Sequence, residues 1–402
     1  MTQTTAEQMR QWRGPAILSF GFRAMFTLAG LWAVLAMGLW ILMLTDLIEL
    51  PTRFDPVTWH THEFLFGYLS AVMAGFLLTA VPNWTGRLPV VGWHLASLAG
   101  LWIIGRAAVF MSTYLPIWSV IAADMAFLLV LSCVILREII AAKNWKNLPV
   151  LILIGVLMVA NLVFHLESAA GAYAPHGFGL RLGVSVVLVL VMLISGKIIP
   201  SFTRNWLVKQ GASRLPTPPM QRFDKATLVV TIMVMIGWTS VPDARLTGSA
   251  LLVMVVLHAI RLTRWQGVAT GAEPLVWVLH VAYAFVPLGA ALNALSVFVP
   301  NAMSQAAALH VWTAGAIGLM TLAVMTRASL GHSGRDLHAT HTTTLAYCAL
   351  IASVVTRVLA DVIFDLRGVF LNTSGALWIV AFATFVIAYG PMLATAKPER
   401  TS

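Results

Sequence analysis

The chain has 402 residues, of which 59% are hydrophobic and only 10% charged, with a formal net charge of +10. Soluble domains carry about 25% charged residues, so this composition excludes a soluble surface, and with it disorder, collagen and coiled coil. Apolar stretches near 20 residues long, without ten-residue alternation, point to a polytopic helical membrane protein rather than a β-barrel.

The first 23 residues are polar and then mixed, without a signal-peptide pattern, and read as a cytoplasmic segment. Twelve spans follow, at about 24–45, 59–81, 93–111, 115–136, 148–169, 179–199, 226–241, 248–263, 274–298, 303–326, 342–361 and 374–396. The seventh and eighth are short. Residues 200–225, containing RLPTPPM and several basic residues, read as a basic cytoplasmic loop. The organisation is therefore all-α, a single transmembrane helical domain over 1–402.

Loop charge orients it. With the N-terminus inside, 19 of the 25 lysines and arginines fall on inside segments, Arg10, Arg87, Lys397 and Arg400 among them. Arg53, Arg181, Arg245 and Arg367 fall outside, and Arg106 and Arg357 lie within spans. The positive-inside rule then places both termini in the cytoplasm. The net positive charge belongs to these loops, so no nucleic-acid partner follows from it. The partner is the lipid bilayer.

An internal echo is visible. His62 precedes Arg87 by 25 positions, and His310 precedes Arg335 by the same interval. The second and tenth spans would correspond, with the sixth as a weaker copy, which suggests three repeats of four helices.

Cys133 and Cys348 form no CxxC or CxxCH, which excludes covalent c-type haem. Histidine is the informative residue. His60 and His62 open the second span in WHTHEFLFG, and His165 lies near the end of the fifth. His310 lies in the tenth, and Arg106, Arg357, Glu63 and Glu167 fall at a similar depth. Ionisable groups inside spans are functional candidates by default. His60 and Glu63 are three apart and share a helix face, whereas His60 and His62 diverge. Beside the histidines run small-sided faces, Gly67, Ser70, Ala71 and Ala74 in one span and Ala307, Ala314 and Gly318 in another. Such faces suit helix packing or a flat macrocycle. A thinner set comprises His258, read as structural, His280, and loop histidines His332, His338 and His341.

Several segments resemble the NnrS family. WHTHEFLFGYLSAVMAGFLLTAVPNWTGR is similar to its hallmark run, and FGFRAMFTLAGLWAVL to its FRPFF-type opening, with Arg23 kept and Ala24 in place of the proline. ISGKIIPSFTRNWL resembles its GGRxIPxFTxN element, with Ser195 and Lys197 replacing the usual glycine and arginine. ALHVWTAGAIGLMTLAVMTRASLGHSGR resembles its late block. The resemblance implies a bacterial inner-membrane protein of about twelve spans in the nitric oxide response. It implies haem, of b type here (one or two), together with copper or a second iron. Carried onto this chain, the candidate ligands are His60, His62 with Glu63, His165, His280 and His310. An architectural analogy with haem–copper oxidases places haem ligands on the second and tenth spans, but 226–241 lacks the histidine pair of that superfamily.

The expectation is a haem protein that binds nitric oxide and reduces or otherwise removes it with electrons from membrane quinol. His62 and His310 are the preferred haem ligands, Arg106 and Arg357 propionate or carboxylate partners, and His280 a further cofactor ligand. His60, His165 and Glu63 are the second-metal or reactive set. The alternatives are a transporter of a metal ion or small nitrogen compound, which needs broken helices at mid-membrane, and a non-catalytic NO- or haem-binding sensor.

Overall fold

The computed structural model describes residues 12–86 and 89–395, and every side chain in them except those of Asn83 and Trp84. Arg10, Arg87, Lys397 and Arg400 lie outside the described residues. The described chain has no strand, and twelve helices are long and apolar enough to cross a membrane. They are α1 Gly21–Leu44, α2 Pro56–Pro82, α3 Trp93–Phe110, α4 Ile117–Ala141, α5 Trp145–Ala169 and α6 Phe178–Lys209. The rest are α7 Arg222–Ser240, α8 Arg245–Thr263, α9 Pro274–Phe298, α10 Gln305–His332, α11 His341–Val362 and α12 Phe364–Ala394.

Every expected span is present, including the short seventh and eighth. Helix ends differ where capping chemistry sets them. α2 begins at Pro56 rather than 59, because Asp55 accepts from the Val57 and Thr58 amides at 3.0 and 3.1 Å and Pro56 needs no donor at the first position. α7 begins at Arg222, fixed by a reciprocal cap between Gln221 and Asp224. α6 runs ten residues beyond position 199, through Pro200, into the segment expected to be loop. α9 likewise continues through Pro287. No described span is unwound at mid-length.

Two spans depart from α geometry. α2 turns π-helical over Glu63–Tyr68, directly after His62, and α10 over Val311–Leu319, directly after His310. The echo between the second and tenth spans therefore extends to the backbone, whereas α6 has no such stretch.

The chain forms two compact units. The first comprises residues up to Gly183, Ala328–Asp336 and the segment from Phe385 onward. In it α1 packs on α2, α2 on α4, α3 on α4 and α4 on α5. A Cβ on Gly179 would meet the Phe164 amide nitrogen at 2.5 Å, so only glycine lets the start of α6 lie against the α5 backbone. Arg23 donates to the Met392, Leu393 and Thr395 carbonyls at 2.6–3.0 Å, closing the end of α12.

The second unit comprises Val184–Arg327 and Leu337–Thr384. There α7 packs on α8, α8 on α9, and both α9 and α11 on the π-helical part of α10. Its core is crossed by a hydrogen-bonded chain. Arg261 donates to Asp224 at 2.9 Å and to the Tyr283 hydroxyl at 2.7 Å. His258 meets that hydroxyl through Nδ1 at 2.7 Å and Thr231 through Nε2 at 2.8 Å. Every member is buried and partnered, which fits the structural role expected of His258.

Large apolar side chains line the outside: Leu35, Ile104, Ile152, Met233, Ile236 and Ile387 are each more than half exposed. Water would penalise so much exposed apolar surface and lipid does not, so the twelve helices fit a multi-pass membrane protein.

Candidate metal centre

Four helices of the first unit bring six polar side chains to one buried point. His62 and Glu63 come from α2, Arg106 from α3, Asp124 from α4, and Asn161 and His165 from α5. None is more than 5% exposed.

The arrangement starts in the local backbone. The π turn widens the helix after His62, and the neighbouring side chains of His62 and Glu63 meet, Nδ1 to Oε1 at 3.1 Å. Glu63, expected to share a helix face with His60, thus meets His62. His60 instead stacks on Trp40, with ring centroids 4.1 Å apart. The expected divergence of His60 and His62 is what the helix has.

Arg106 then clamps two acids. Nη1 donates to Glu63 Oε1 at 2.6 Å and Nη2 to Asp124 Oδ1. The other Asp124 oxygen, Oδ2, accepts from Asn161 at 2.7 Å and from His165 Nε2 at 3.0 Å. It also faces His62 Nε2 at 3.1 Å, which lies 3.1 Å from Asn161 Oδ1 as well. Gly67 leaves room for the clamp: a Cβ there would meet Arg106 Nη1 at 2.6 Å and Glu63 Oε2 at 2.9 Å.

Charge decides what this cluster can do. Glu63 and Asp124 bring two negative charges and Arg106 one positive, leaving a formal deficit of one. Burying an unbalanced charge costs several kcal/mol, so one more positive charge belongs here. It would come as a proton, with His62 donating from both ring nitrogens, or with a metal ion, the second charge of a divalent ion being balanced by an anionic ligand such as hydroxide. One ligand atom each from His62, Asp124 and His165 lie within 4.8 Å of one another, close enough to hold an ion. Two imidazoles and a carboxylate suit zinc, copper or iron. The ring nitrogen His165 Nδ1 and the oxygen Glu63 Oε2 are buried without a hydrogen-bond partner, as are the N–H groups at Arg106 Nε, Trp32 Nε1 and Trp59 Nε1. Native interiors leave few such groups, and their concentration around this cluster fits a site built to receive something polar.

Of the residues singled out in the sequence, the structure gathers His62, Glu63, Arg106 and His165. It adds Asp124 and Asn161, which sequence reading passed over. Asp124 is the one charged residue within 115–136 and falls under the same rule that drew attention to Arg106. Asn161 stands four residues before His165, on the same helix face. Glu167 does not join the cluster; it accepts from the Phe178 and Gly179 amides at the start of α6.

The remaining candidates lie in the second unit. His310 Nδ1 donates to the Ala306 carbonyl at 2.6 Å, which leaves Nε2 as the ring nitrogen that a metal would use. His280 Nε2 meets the Thr203 hydroxyl at 2.8 Å, and a Cβ on Gly267 would meet its Nδ1 at 2.6 Å. Arg357 is buried in α11, and the nearby Asp361 accepts from Ser304, which in turn caps α10. The small faces are filled by protein: Trp378 lies against Gly318, and Arg106, Glu63 and Trp32 against Gly67. At those two glycines packing, not a macrocycle, occupies the space.

No curated protein matches the chain. The family model described as NnrS protein matches residues 16–397, which is nearly its whole length. Twelve membrane-type helices, a buried histidine–carboxylate centre in the segment that carries WHTHE, and this match agree: the chain belongs to the NnrS family.

Proposed function

We propose that this protein binds nitric oxide in the bacterial inner membrane and removes it by reduction, drawing electrons from membrane quinol. The observation that carries the reading is the buried cluster of His62, Glu63, Arg106, Asp124, Asn161 and His165, one positive charge short. His62, Asp124 and His165 would hold a metal ion, copper or iron. His310 would hold a b-type haem through Nε2. His60, His280 and Arg357 are secondary candidates for the same groups. Bound iron or copper supplies the site for nitric oxide and the route for electrons.

The chain's own residues supply orientation and protons. Asn161 and Asp124 fix the rings of His62 and His165. Arg106 holds Glu63 and Asp124 in place. Glu63 Oε2, unpartnered and buried, is the atom at which a proton for reduction would be held. Nitric oxide is neutral and apolar and enters from the bilayer, so the site needs no charged channel.

The test is an optical spectrum of the detergent-purified protein, oxidised and reduced, before and after nitric oxide, followed by anaerobic consumption with a quinol. A b-type spectrum that shifts, with steady consumption, supports the reading; a shift without consumption leaves a sensor. His310→Ala is expected to lose the haem bands, and His165→Ala to keep them while losing the second metal. A colourless wild-type protein contradicts the haem assignment.

A further inference from the structure

We propose that the loop between α1 and α2 is the loading vestibule for the buried metal centre, admitting a transition-metal cation past Phe54. The inference rests on the metal reading of His62, Asp124 and His165.

A cavity of about 450 Å³ opens in this loop, lined among others by Asp46, Glu49, Asp55 and Phe54. The three acids are exposed. The one basic residue of the loop, Arg53, is turned away: its guanidinium donates to the Ser112 and Leu115 carbonyls at 2.8 and 2.9 Å. The cavity wall is therefore acidic with no cation of its own facing it. Asp55 is partly committed as the α2 cap, which leaves Asp46 and Glu49 as the free carboxylates.

Phe54 connects the cavity to the centre. It lines the cavity and is itself 92% buried, and its ring lies 5.3 Å from His62 and 5.7 Å from His165, centroid to centroid. His165 is fully buried, and its Nδ1 has no hydrogen-bond partner. One aromatic ring thus stands between exposed carboxylates and a buried set of nitrogen and oxygen ligands. An acidic wall raises the local cation concentration and the rate of capture. Rotation of this buried ring would be the gating step, slower than the hops of an exposed side chain.

Uptake of isotopically labelled Zn(II) by the full-length protein in detergent tests this. Wild type is expected to take up zinc stoichiometrically. The paired change Asp46→Asn and Glu49→Gln is expected to slow uptake on the order of tenfold at low salt, with the difference vanishing at high salt. Phe54→Ala is expected to speed uptake, and Phe54→Leu to do so less, with the final stoichiometry unchanged. His165→Ala reports on the metal reading alone and is expected to abolish uptake. If His165→Ala abolishes uptake but the acid and Phe54 variants load at the wild-type rate, the vestibule is wrong and the centre stands. If wild type takes up no zinc, both fall.

Discussion

Arg106 is the residue on which the centre turns. It faces two carboxylates away from water, and neither can keep its charge there without it. Arg106→Ala is expected to cost about 3–5 kcal/mol, since it strands buried charge rather than merely deleting a contact. Thermal unfolding in detergent measures this; a loss within about 1 kcal/mol, the range of an exposed pair, would mean the cluster is wetter than its burial indicates. Asp124→Asn keeps the shape and removes one charge. It is expected to lose the non-haem metal while retaining the fold, read by metal analysis beside the melting temperature. At this scale the sequence exposed the histidines, Glu63 and Arg106, because charged and imidazole groups inside apolar spans are conspicuous. It did not show who pairs with whom. Glu63 joins His62 rather than His60 because the backbone widens after His62, and no residue type announces a π turn.

Elements matter through their close approaches. Gly179 brings α6 against the α5 backbone beside Phe164, next to His165. Gly179→Ala is expected to cost about 1–3 kcal/mol by overpacking against backbone that cannot give way, and to weaken metal retention through His165. Gly155→Ala, on α5 with nothing within 4 Å, is the control. It is expected to be neutral or to gain up to about 1 kcal/mol from helix propensity. Equal losses at the two glycines, compared by thermal unfolding and metal content, would contradict the assigned packing. The positions of the twelve helices were legible from apolar run length. Their ends were less so: α6 passes through Pro200 and α12 begins ten residues early, at Phe364, because the polar run LNTSG reads as loop by composition yet is helical. The echo between α2 and α10 was visible as a spacing of histidine and arginine, and the paired π stretches give it a structural counterpart.

Across the described residues, apolar side chains dominate the exposed faces of the helices while buried ionisable groups are drawn into hydrogen-bonded clusters, as around Arg106 in the first unit and Arg261 in the second. That division, required where the surrounding solvent is lipid, was legible from composition alone. Loop charge adds an orientation, and reporter fusions at the C-terminus and in the loop between α1 and α2 are expected to report cytoplasmic and external locations respectively; the reverse would overturn the positive-inside reading. The clusters differ in character. The chain Asp224, Arg261, Tyr283, His258 and Thr231 is satisfied throughout, whereas the cluster of α2 to α5 leaves a nitrogen, an oxygen and several N–H groups bare. The central claim is that this incomplete cluster is a metal centre. The most direct test is the non-haem metal content of the purified protein, wild type against His165→Ala. A stoichiometric metal in wild type that disappears in the variant, with haem unchanged, is the predicted result. Equal metal content in both, or none in wild type, would show that the cluster is closed by a proton and that nitric oxide chemistry must be sought elsewhere in the chain.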